Sequence, residues 1–125
     1  MNKNSHVNFS PNLVDYSSAE GSVDICTLNN NGFFTSGWIA DINDKSESFR
    51  GKTYIIAKYK DHFVKLRTAR LERYDVAKAL PRGNYYLHTG FSSASRELNI
   101  TNTEKTIYVV SENNGKLIGV RHECN

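Results

Sequence analysis

Two cysteines, Cys26 and Cys124, are the residues of this 125-residue chain whose type alone promises covalent chemistry. They show no CxxC spacing, and the one histidine near either is His122. A structural zinc site takes four ligands, and no such set offers itself, so no metal is expected. Two readings stand side by side. The cysteines are separate buried thiols, or they form one disulfide joining the first strand to the C-terminus. Nucleophilic catalysis needs a thiol or hydroxyl beside a base. The histidines at positions 6, 62, 88 and 122 are scattered, and no GxSxG, GxGxxG or GxxxxGK[ST] run occurs. No catalytic residue and no cofactor is therefore expected. Asp41, Asn43, Asp44 and Glu47 make a loop of calcium-like composition without the EF-hand spacing. A solvated loop is the simpler reading.

Arg73-Tyr74-Asp75-Val76 is the most chemically suggestive run. An arginine and an aspartate two residues apart do not face each other on a helix. At a strand-to-helix turn they can pin neighbouring backbone, because the guanidinium offers five donors in a planar fork and can clamp carbonyls or a carboxylate. Asp75 can also accept N–H groups at a helix start. A clamp is the structural reading and ligand contact the functional one. Among the aromatics, Trp38, Phe33, Phe34, Phe63, Tyr85, Tyr86 and Phe91 could build a sugar-stacking platform. Aromatics in a small domain more often fill the core, and Trp38 is expected there. Tyr85 and Tyr86, read as neighbours in a strand, point to opposite faces, so one of them is expected to be exposed. The ligand-contact candidates are thus Tyr85, Tyr86, Arg73 and Asp75.

The elements that must position these residues are mostly strands. Residues 1–20 are rich in Asn and Ser and read as a mobile arm or linker, with Leu13-Val14 or Tyr16 docking locally. The folded domain is expected over 21–125. Val23 and Ile25 alternate with Asp24 and Cys26, and Asn29-Asn30-Asn31-Gly32 is a turn tolerant of positive φ. Phe33 to Asp41 is apolar on both faces, as a central strand would be. Gly37 there marks a place where something bulky passes close to the backbone. Thr53–Tyr59 and His62–Arg70 form a hairpin. Residues 74–80 have helical spacing for one or two turns, stopped by Pro81. Asn84 to Phe91 reads as extended, Ser92 to Arg96 as a loop and Glu97 to Ile100 as a short strand. A last hairpin turns at Asn113-Asn114-Gly115. About eight short strands with frequent turns predict an all-β antiparallel sandwich, immunoglobulin-like or jelly-roll-like.

Bulk properties narrow the partners. The net charge is +3 and the basic residues from Lys58 to Arg73 alternate with apolar ones. That is a half-exposed strand rather than a nucleic-acid face. No apolar run approaches the roughly 18–20 residues of a membrane span, so no direct membrane insertion is expected. Met1 to Ser10 has no apolar h-region, so an extracytoplasmic address would lie in a longer parent chain.

Gly21-Ser22-Val23-Asp24, Ser36-Gly37-Trp38-Ile39-Ala40-Asp41, Tyr54-Ile55-Ile56-Ala57, Arg73-Tyr74-Asp75-Val76-Ala77 and Gly90-Phe91 follow in that order. The series resembles the "GWAxD … RxDVA … GF" β-sandwich modules attached to bacterial glycosyltransferases and other polysaccharide-assembly membrane proteins. It spans roughly residues 21–120, with Ile39 where those modules carry a small residue. The resemblance implies a non-catalytic accessory, carbohydrate-binding-like domain on the periplasmic side of a membrane. Its partner would be a bacterial surface glycan or the membrane-embedded part of a parent protein. It also implies that Trp38, Gly37, Arg73, Asp75, Gly90 and Phe91 are scaffold positions. A protein-interaction module that docks through a sheet edge or exposed aromatics is the alternative.

Overall fold

The computed structural model describes residues 5–96 and 103–124. Within them the chain forms β1 (Ser5–Val7), β2 (Ala19–Asn29), β3 (Gly32–Asp41), β4 (Lys52–Tyr59), β5 (Phe63–Leu66) and β6 (Ala69–Leu71). A single helix α1 (Tyr74–Ala79) and a 3-10 turn (Gly83–Tyr86) follow, then β7 (Gly90–Ser95), β8 (Thr103–Asn113) and β9 (Lys116–Glu123). Two antiparallel sheets result, ordered β1-β5-β4-β8-β9 and β2-β3-β7-β6. The β2–β3, β4–β5 and β8–β9 hairpins each stay within one sheet, while the strands after β3, β5 and β7 lie in the other. The fold is the expected all-β sandwich.

Period-two alternation decides which side chains meet between the sheets. On β3 the inward set is Phe33, Thr35, Gly37 and Ile39, all buried. They face Ile55, Ala57, Leu66, Ile107 and Val109 of the larger sheet. Phe91 of β7 is fully buried opposite Gly37. Each such side chain stabilises the fold by about 1.5–3 kcal/mol relative to exposure. A Cβ on Gly37 would lie 2.1 Å from the Ser22 carbonyl oxygen and 2.9 Å from the Phe91 ring. The bulky neighbour expected beside Gly37 is therefore Phe91.

The N-terminal segment is not a free arm. β1 pairs with β5, Val14 is buried, and β2 begins at Ala19, ahead of the expected boundary at Gly21. Asp15 bridges to Ile118 of β9, its N–H donating to Leu117 O at 2.8 Å. The segment crosses the outer face of the larger sheet like a strap. Beneath it Val7, Phe9 and Val14 cover Ile56, Tyr108, Val110 and Phe63 in a second apolar cluster. Phe9 meets the Phe63 ring edge-on at 5.2 Å. Val14 docks as expected of Leu13-Val14, whereas the low hydrophobicity of this segment hid Val7 and Phe9.

The second half also departs from expectation. Asn84 to Phe91 is not a strand: Gly83–Tyr86 closes a 3-10 turn, and extended structure resumes at Gly90. The serine-rich stretch read as a loop is β7, held between β3 and β6 by register pairs on both sides. Backbone pairing on two edges outweighs the weak intrinsic strand preference of serine. The short strand read at Glu97–Ile100 lies outside the described residues.

Candidate binding face

The two outer faces of the sandwich are unequal. The strap covers the outer face of the larger sheet, whereas among the described residues that of β2-β3-β7-β6 is open at its Phe34 end and closes at its Ala40 end, where Tyr86 packs on Trp38 and Ala40 is fully buried. Register places Phe34, Ser36 and Trp38 of β3 on it, opposite Thr27, Ile25 and Ser22 of β2 and opposite Ala94, Ser92 and Gly90 of β7. Leu71 of β6 lies beside Gly90. Ile25 is 49% exposed, Leu71 42% and Phe34 40%, so the face is apolar, aromatic and hydroxyl-rich together.

Sequence reasoning missed Ile25 for an identifiable reason. The β2–β3 register shifts between Val23 and Ile25. Asp24 is the extra residue of a β-bulge, and it turns Ile25 outward while Val23 stays inward. Phe34 shares its face with Trp38 by simple alternation, and that signal was available.

Trp38 packs against the main core cluster but is only half-buried. Its ring meets Tyr86 edge-on at 5.7 Å, and it lines the open face. Tyr85 and Tyr86 are the reverse correction. Both are buried, at 2% and 3% exposure, because the 3-10 turn packs both rings into the main core cluster, Tyr85 edge-on to Phe49 and Tyr86 edge-on to Trp38. Neither is a platform for ligand stacking. Tyr86 Oη donates to Glu20 Oε1 at 2.8 Å.

Arg73 and Asp75 do meet. Arg73 sits at the start of α1 and its guanidinium grips Asp75 with two bonds, Nε–Oδ1 at 2.9 Å and Nη2–Oδ2 at 2.8 Å. Its third donor reaches Asp24 Oδ2 at 3.0 Å. Of the two kinds of acceptor expected, carbonyls or a carboxylate, the clamp holds carboxylates. It ties the bulge on edge strand β2 to the start of α1. The Arg73 hydrogen bonds hold the Asp75 carboxyl at about 2, well below its ordinary value. The stem of Arg73 crosses Gly90, where a Cβ would lie 2.7 Å from its Cγ. Gly37, Trp38, Arg73, Asp75, Gly90 and Phe91 are thus neighbours, the glycines making room for Phe91 inside and Arg73 outside.

Asp41 and Asp44 are not in a solvated loop. Both are buried, at 0% and 6% exposure. The Asn113 amide donates to Asp41 Oδ2 at 3.0 Å and to Asp44 Oδ2 at 3.2 Å. The Tyr85 hydroxyl lies 3.0 Å from both the Asp41 carbonyl oxygen and Asp44 Oδ2. Arg82 stacks over the Tyr85 ring at 3.6 Å and donates to the Asp44 carbonyl. Burial alone would raise the Asp44 carboxyl, but bonds from Ser46, Asn113 and Tyr85 outweigh it and hold the group at about 2. The cluster pins the loop after β3 to the β8–β9 turn. No group of three or more His, Cys, Asp or Glu side chains among the described residues is placed to hold a metal ion.

Cys26 and Cys124 form a disulfide with a Cα–Cα distance of 5.0 Å. It joins β2 of one sheet to the residue after β9 of the other. Clefts lie away from the open face, one of about 550 Å³ between Phe9 and the β4–β5 turn and one of about 470 Å³ between Tyr16 and Arg121. Both abut the strap. The open face is flat and would hold a ligand by stacking and hydrogen bonds rather than by enclosure. No protein-family model, curated protein or solved structure matches this chain.

Proposed function

We propose that this chain is a non-catalytic accessory domain that binds a bacterial surface glycan on the open face of the β2-β3-β7-β6 sheet. The observation that carries the reading is the inequality of the two outer faces. The chain's own strap covers one and leaves on the other a row of Phe34, Ser36 and Trp38. Sugar rings present apolar C–H faces that pack on aromatic rings, while their hydroxyls seek polar partners. Trp38 and Phe34 offer the first, and Ser22, Ser36, Ser92 and Thr27 the second. The resemblance of the Gly37-Trp38, Arg73-Asp75 and Gly90-Phe91 series to modules of polysaccharide-assembly proteins supports the same reading. The disulfide supports an extracytoplasmic site of action, since such bonds persist in oxidising compartments.

The test is a titration of the isotopically labelled domain with bacterial surface oligosaccharides, followed by NMR. The Trp38 indole N–H and the amides of β3 and β7 should shift together. Shifts absent from this face throughout the panel would overturn the proposal. The aliphatic pair Ile25 and Leu71 favours a second reading, a protein-docking face, which predicts shifts with a parent-protein segment and none with sugars.

A further inference from the structure

Phe34 and Trp38 lie four residues apart on one face of β3, with Ser36 midway between them. Their attachment points are therefore about 13 Å apart, at roughly 3.3 Å per residue. β3 is paired on both sides along this stretch, which fixes the spacing. Phe34 is exposed and Trp38 half-buried, so both rings are reached from solvent. Between the Trp38 row and the Phe34 row, the outward strand positions among the described residues carry no charge apart from the bulge residue Asp24. That holds on a chain of which 23% is charged. Asp24 is engaged by Arg73, which Asp75 grips in turn. The polar groups left along the face are hydroxyls, those of Thr27, Ser36 and Ser92.

We propose that the ligand of this face is an uncharged, unbranched chain of equatorially linked sugars, laid along β3 and stacked on Phe34 and Trp38 at once; the proposal rests on the glycan reading above. Neighbouring rings of such a chain lie closer together than the two aromatics. The second contact therefore falls to a sugar beyond the nearest neighbour, and a disaccharide cannot make both. Once one ring is stacked, the other contact is intramolecular and adds affinity without a new encounter. Equatorial linkages keep successive rings in a flat ribbon, whose C–H faces can lie on both aromatics. Axial linkages coil the chain and lift one of the two sugars away. The hydroxyls between the aromatics both donate to and accept from sugar hydroxyls. A charged sugar would find no counter-charge along this stretch to offset its desolvation.

Calorimetric titration of the intact, oxidised domain tests this. The probes are neutral β-1,4-linked oligomers of glucose, mannose and N-acetylglucosamine, each as disaccharide and hexasaccharide. An α-1,4-linked glucose hexasaccharide tests linkage, and a β-1,4-linked mannuronate hexasaccharide tests charge. One of the neutral β-1,4 hexasaccharides should bind at least about tenfold more tightly than its own disaccharide. It should also outbind the α-linked and mannuronate chains, and its affinity should hold as salt rises, since no charge pair forms. Phe34→Ala should bring the hexasaccharide down to the disaccharide level, and Phe34→Tyr, which keeps the ring, should preserve the length preference. If Phe34→Ala does not fold, the wild-type length and linkage preferences decide alone. Equal affinity for disaccharide and hexasaccharide, or equal binding of the α-linked or mannuronate chain, would overturn the inference and leave the glycan reading standing. So would binding confined to other oligosaccharides of the NMR panel. No binding in either panel would overturn both.

Discussion

Gly37 and Phe91 act as one packing unit, which sets what substitution there does. Phe91→Ala empties a fully buried site and should cost about 3–5 kcal/mol. Gly37→Ala should cost about 1–3 kcal/mol, because the new methyl meets the Ser22 carbonyl as well as the ring. Urea midpoints measure both. Trp38→Ala should fall below the core range, at about 1–2 kcal/mol, because only part of the ring is buried. If this variant also loses sugar binding, the tryptophan acts at the surface. A loss as large as that of Phe91→Ala would return Trp38 to the core. Asp44 predicts a pH dependence. Its folded value of about 2 lies below the ordinary 3.8, so its contribution is complete above about pH 5. That contribution drains away as pH falls through 2, and the melting temperature should fall over that interval. In Asp44→Asn the acid-side loss should be shallower. An unchanged slope would mean that the carboxylate does not anchor the loop.

Among the elements, the strap carries the clearest consequence. It contributes β1, Phe9 and Val14 to the larger sheet, and its removal bares Tyr108, Ile56 and Phe63. Phe9→Ala should cost about 1–3 kcal/mol, since the ring is only partly buried. Deletion of residues 1–14 should cost more and should promote self-association, which sedimentation would detect. A fully stable, monomeric truncation would show the strap to be dispensable. The strap was hard to read because three anchors among fourteen mostly polar residues make no periodic pattern. The hairpins at Asn29–Gly32 and Asn113–Gly115 were legible, because strand alternation and turn chemistry agree there. Asn114 does adopt positive φ, at 53°. The 3-10 turn was misread because Tyr85, Leu87 and Thr89 alternate by composition, whereas Gly83 and contacts with Asp44 and Glu20 decide the local path. The open face was half legible. Alternation places Phe34 beside Trp38, but one extra residue at Asp24 reverses Ile25, and a single sequence carries no mark of a bulge.

At the scale of the whole molecule, the disulfide and the Arg73 clamp act on the same edge. Cys26 follows Asp24 by two residues, so β2 is tethered to the other sheet just beyond the bulge that carries the clamp. The bond closes nearly the whole described domain, with a sequence separation of 98. The chain-entropy account assigns a loop of that order about 4–5 kcal/mol, through restriction of the unfolded chain. That is a large fraction of the total stability of a domain this size. The oxidised protein should show no titratable thiol when unfolded without reductant. The Cys26→Ala/Cys124→Ala variant should melt well below it, by more than about 10 °C if each kcal/mol moves the midpoint by a few degrees. Loss of the tether also frees the end of β2, so the Asp24–Arg73 bond should loosen even where the variant remains folded. Hydrogen exchange should then quicken on β2 from Asp24 to Leu28 before it quickens on β3, which is paired on both sides. Exchange that rises uniformly across both sheets would instead mean that the bond stabilises the domain as a whole and gives the open face no local support.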